Sequence, residues 1–91
     1  MADRVAREVI VSGRVQGVYF RDSTRRAARS AGVAGWVRNE PDGTVRAHLE
    51  GAADAVDEVV AFMRSGPPEA EVADVTVSDV KPDNLAGFDL D

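Results

Sequence analysis

The chain has 91 residues, enough for one small domain with its own core and no disulfide or metal staple. Its 44% hydrophobic and 30% charged content is that of an ordinary soluble globular protein, and the absence of cysteine excludes disulfides, thiolate chemistry and cysteine-ligated metals. A net charge of −5 argues against a nucleic-acid binder, and no apolar run is long enough to span a membrane. With no signal-peptide core in Met1-Ala2-Asp3-Arg4, the cytoplasm is the expected location.

Residues 5–12 read as the first strand, centred on Val9, Ile10 and Val11. Next comes a glycine-bracketed stretch, Gly13-Arg14-Val15-Gln16-Gly17-Val18-Tyr19-Phe20-Arg21, leading into a helix over residues 22–31. A loop of this kind, between a strand and a helix N-terminus, can aim several backbone N–H groups at one anion. Gly13 and Gly17 supply the positive φ or close backbone approach that such a nest needs. Arg21 adds a planar fork of donors that matches phosphate oxygens. The chemistry is that of an oxyanion site, and the expected anion is phosphate. Charge agrees: residues 1–39 hold eight Arg against three acids, whereas residues 40–91 hold thirteen acids against three basic residues.

In the first helix Phe20, Thr24, Ala27, Ala28 and Ala31 share a face, with Gly32 as the stop, while Arg25, Arg26 and Arg29 read as a solvated face. Residues 34–39 form the second strand. Asn39-Glu40-Pro41-Asp42-Gly43 is hairpin turn chemistry. Strand three covers residues 44–50, with Val45, Ala47 and Leu49 alternating against Arg46, His48 and Glu50. A second helix over residues 54–64 has the apolar stripe Val56, Val59, Val60 and Met63, and Ser65-Gly66-Pro67-Pro68 ends it. Residues 72–80 read as strand four and residues 85–90 as a short last strand. The order β-α-β-β-α-β plus a tail strand predicts a single α+β domain over residues 1–91. Its expected form is ferredoxin-like, an antiparallel sheet with two helices on one face.

The glycine loop resembles the acylphosphatase signature: a glycine, then Gln-Gly-Val, one residue, an aromatic and Arg. A second stretch, Gly35-Trp36-Val37-Arg38-Asn39-Glu40-Pro41-Asp42-Gly43-Thr44-Val45, completed by Glu50-Gly51, is similar to the other signature of that family. The resemblance runs from about Arg7 to Leu90. It implies hydrolysis of acyl phosphates to a carboxylate and inorganic phosphate, with no cofactor and no metal. It also implies catalytic roles for Arg21, on the phosphate, and Asn39, on the attacking water. Substrate binding is assigned to the loop residues Val15, Gln16, Gly17, Val18, Tyr19 and Phe20. The partner expected is a small-molecule acyl phosphate, bound by a monomer. Because the chain opens on Met and ends soon after the last strand, a stand-alone enzyme is expected. The competing reading is a non-catalytic anion-binding regulatory domain of the same fold.

Several residues read as structural. Tyr19 and Phe20 are expected to pack, Gln16 to act mainly through its backbone, and Trp36 to lie on the open face or rim of the sheet. His48 has no second His or Cys to accompany it, and reads as a solvated sheet-face histidine with no part in catalysis.

Overall fold

The computed structural model describes residues 4–91, so Met1-Ala2-Asp3 lies outside the described residues. Seven elements follow in chain order: β1 (Arg4–Arg14), α1 (Phe20–Ala31), β2 (Ala34–Asn39), β3 (Val45–Ala52), α2 (Ala53–Ser65), β4 (Glu71–Val80) and β5 (Phe88–Leu90). They form one five-stranded sheet of order β4-β1-β3-β2-β5. β1 pairs antiparallel with β3 and β4, and β2 pairs antiparallel with β3.

The expected ferredoxin-like α+β layout is what forms, with one correction. β5 runs parallel to β2, Gly35 opposite Phe88 and Val37 opposite Leu90, so the sheet is mixed. The chain leaves β4 at one edge of the sheet and reaches the other through residues 81–87, arriving in the direction of β2. The last strand is also shorter than expected, because residues 85–87 belong to that crossing.

Alternation along β3 decides what each sheet face holds. Val45, Ala47 and Leu49 are fully buried and join Val9, Val11 and Val37 in the core. Phe20 and Ala28 of α1, and Val56, Val59, Val60 and Met63 of α2, pack onto that same cluster. Burying a side chain such as Phe20 or Met63 contributes roughly 2–3 kcal/mol. Both expected helical stripes are therefore the faces that bury. Arg46, His48 and Glu50 project from the opposite, helix-free face.

That face is not uniformly wet, which corrects the reading of His48. His48 is only 7% exposed and Glu50 is completely buried. The connection between β4 and β5 reaches Glu50 through Asp83 and Leu85, and Trp36 of β2 stacks on the imidazole with ring centroids 6.1 Å apart. Arg38 in turn lies 4.7 Å from the Trp36 ring centre. Alternation identified the face correctly, but a segment more than thirty residues downstream covers this end of it.

Candidate active site

The glycine loop is held by the side chains it buries. Val15, Val18 and Phe20 all point into the core, exposed by 5% at most. Between them the backbone has to turn back on itself. Gly17 takes φ 75° and Tyr19 takes φ 64°, the second an uncommon conformation for a non-glycine residue. Gly13 is required for a second reason. It sits at the register shift between β1 and β4, and a Cβ there would run into the Glu71 carbonyl.

The left-handed turn at Tyr19 corrects another expectation. Its ring does not pack: it is 73% exposed beside the loop, at the N-cap of α1. Gln16 acts through its side chain. Its amide donates to the Glu40 and Thr44 carbonyls at 2.8 and 2.9 Å, tying the loop to the β2–β3 hairpin that follows Asn39. These bonds fix the distance between the two signature stretches, a role that nothing local in the sequence announces.

Arg21 is the second residue of α1, and Asn39 is the last of β2. Asn39 lies on the same side of β2 as the buried Val37, beyond the edge of the core. Val15, Gly17, Tyr19, Phe20, Arg21, Asp22, Asn39 and Leu90 line one pocket of about 320 Å3. The expected loop residues and both expected catalytic residues are thus brought together, except that Gln16 turns toward the hairpin and Val18 toward the core. Asp22 and Leu90 join the pocket unforeseen. Asp22 is turned toward Arg25 and Arg26 at 2.8 and 3.0 Å, so its charge is balanced on the helix itself. Leu90 arrives through the parallel β5.

Among the described residues, no protein hydrogen bond engages the N–H groups of Gln16 to Arg21. They stand at the N-terminus of a twelve-residue helix, whose dipole adds positive character. Arg21 uses Nη1 to donate to the Asp91 main-chain oxygen at 3.0 Å. A guanidinium has five N–H groups, so a fork remains for a ligand. Pocket and charge together suit a small, multiply charged oxyanion.

The acylphosphatase family model matches residues 7–90. The chain belongs to the acylphosphatase family. It is 49% identical to an acylphosphatase of Haloquadratum walsbyi over 87 residues, covering 96% of this chain and 94% of the relative. It is 49% identical over 90 residues to that of Gloeobacter violaceus, covering 99% and 97%. The solved acylphosphatase of Coxiella burnetii superposes with a TM-score of 0.94 at 31% identity, over 98% of this chain and 94% of that one. Acylphosphatase membership supports acyl phosphate hydrolysis as the activity and a small molecule as the substrate. Among the described residues no helix is long and apolar enough to cross a membrane.

Away from the pocket, His48, Glu50 and Asp83 place one ligand-type atom each within 4.8 Å of one another. His48 Nε2 lies 2.7 Å from Glu50 Oε1 and donates to it, since a carboxylate only accepts. The Asp83 N–H also donates to Oε1, while Arg4 and the Leu85 N–H donate to Oε2. Burial alone would raise the Glu50 pKa. The Asp83, His48, Arg4 and Leu85 hydrogen bonds overcome it and hold the pKa down at about 2.

Proposed function

We propose that Arg21 and the N–H groups of Gln16 through Phe20 bind the phosphoryl group of an acyl phosphate, and that Asn39 orients the water that attacks it. The observation carrying this reading is one pocket lined by Arg21 and Asn39 together with the loop residues Gly17, Tyr19 and Phe20. Water adds to phosphorus and the phosphorus–acyl oxygen bond breaks. The carboxylate that departs is an anion stable at neutral pH, so no strong general acid is needed. In a loose transition state, charge on the phosphoryl oxygens is met by donors already in place. The proton of the water passes to the phosphate. Asn39 holds the water by its amide, which offers both an acceptor and donors without taking the proton.

This mechanism asks nothing of a metal. Hydrolysis of benzoyl phosphate in EDTA, by the wild type and by Arg21→Ala, tests it. Turnover that survives chelation and collapses in the variant is the expected result. Turnover lost to EDTA overturns metal independence, and an active Arg21→Ala overturns the arginine's role. A cytoplasmic monomer completes the reading, and equilibrium sedimentation tests the oligomeric part.

A further inference from the structure

β5 has only three residues and pairs with one neighbour, yet the pocket depends on it. Leu90 lines the pocket. Asp91, just beyond, donates its N–H to the Val37 carbonyl at 2.9 Å and accepts from Arg21 Nη1 at 3.0 Å. Three residues of strand cannot hold a position alone. Residues 81–87, which deliver β5, have no regular structure and are exposed apart from the half-buried Leu85.

What fixes this crossing is the buried Glu50 carboxylate. Oε1 accepts from the Asp83 N–H and from His48 Nε2. Oε2 accepts from the Leu85 N–H at 3.1 Å and from Arg4 Nε and Nη2 at 3.2 and 3.0 Å. Arg4 Nη2 closes the arrangement by donating to the Leu85 carbonyl at 2.7 Å. Five donors converge on one carboxylate, and two of them are backbone groups of the same crossing. Farther along, the Gly87 carbonyl accepts from the Gly35 N–H at 2.9 Å, and the Phe88 carbonyl from Arg29 at 3.1 Å.

We infer that Glu50 is a positioning residue for Arg21, pinning from the helix-free face of β3 the crossing that carries β5 and the Asp91 oxygen to the guanidinium. The inference rests on Arg21 being the arginine that binds phosphate. A carboxylate buried so completely is unfavourable unless its lone pairs are engaged. Here two of the five donors, the Asp83 and Leu85 N–H groups, belong to the segment that ends at the pocket. The consequence is specific: loosening the crossing frees Arg21 to sample other rotamers, and ligand affinity falls before the fold does.

The test compares wild type, Glu50→Gln, Arg4→Ala and Arg21→Ala, each shown folded by circular dichroism. It reads the Kd of inorganic phosphate by calorimetry, kcat and KM for benzoyl phosphate, and hydrogen exchange at the Asp91 amide. Glu50→Gln puts an NH2 group against existing donors. Displacing a binding group by a fraction of an ångström is costly, so we expect KM and phosphate Kd to rise about tenfold with a smaller fall in kcat. Exchange at Asp91 is expected to quicken while the β1–β3 ladder stays protected. Arg4→Ala removes one partner and is expected to raise Kd about threefold. Wild-type Kd and KM in Glu50→Gln, with only the melting temperature lowered, overturns the inference. If Glu50→Gln does not fold, Arg4→Ala decides on the same readouts. Arg21→Ala keeps the two readings apart: if it binds phosphate normally, the assignment of Arg21 has failed, whereas if it loses phosphate and Glu50→Gln does not, only the positioning role has failed.

Discussion

The molecule has two polar centres, and they handle hydrogen bonding in opposite ways. At the N-terminus of α1, the N–H groups of Gln16 to Arg21 have no protein partner among the described residues, and Arg21 keeps donors to spare. On the other side of the sheet, Glu50 is buried and each of its oxygens is engaged at least twice. A centre with unmet donors near solvent can take a ligand. A centre whose valences are all filled can only hold structure in place. The family motif passes through both, since Asn39 belongs to the first and Glu50 to the second.

The largest effect should come from the centre with unmet donors. Arg21→Ala should lower kcat/KM for benzoyl phosphate by about a thousandfold, the scale of removing a charge-stabilising donor, with phosphate affinity falling alongside. Steady-state kinetics beside calorimetry would check it. A loss below tenfold would mean that the backbone amides suffice.

The filled centre should respond in stability and with a definite pH sign. The Glu50 pKa lies near 2 in the folded protein, below the ordinary 4.5, so folding favours the charged form. Its stabilisation is complete above pH 4.5 and disappears as pH falls toward 2. Glu50→Gln should therefore melt well below wild type at pH 7, and the two curves should converge between pH 4.5 and 2. A gap independent of pH would show that packing, not charge, is what the substitution disturbs.

Asn39→Ala sharpens the first centre by separating water from phosphate. It should reduce kcat about a hundredfold, within the range for positioning and proton-transfer partners, while phosphate Kd stays within about twofold of wild type. Equal losses in both would place Asn39 on the phosphate instead. His48→Ala should give the smallest response. Removing one of several Glu50 donors costs about 1–2 kcal/mol of stability, and kcat/KM should remain within about twofold of wild type.

The two centres also differ in how far the sequence announces them. The glycine loop is local: Gly13, Gly17 and Arg21 fall within nine residues, and the helical stripe that follows sets their orientation. The apolar stripes of α1 and α2 were legible for the same reason, because one period explains each. What escaped depends on distant pairings. Alternation placed Arg46, His48 and Glu50 together, but the segment that buries two of them lies 33 and 35 residues beyond Glu50. The parallel run of β5 and the entry of Leu90 into the pocket follow from the same crossing. Tyr19 escaped for a local reason. A left-handed backbone at a bulky residue runs against its preference, and here it turns an expected packing ring outward.

The stack of Trp36 on His48 has a practical consequence. Trp36 is the chain's single indole, so the protein's tryptophan emission comes from one known place. Its ring lies nearly parallel to the imidazole, at 18°, and beside the Arg38 guanidinium, where its fluorescence responds to charge and separation. The protein thus carries its own optical reporter on the sheet face away from the helices. Emission followed through an acid titration or a thermal ramp would register the opening of the Glu50 network without any label. A phosphate titration followed in the same signal would show how far events at the loop are felt across the sheet.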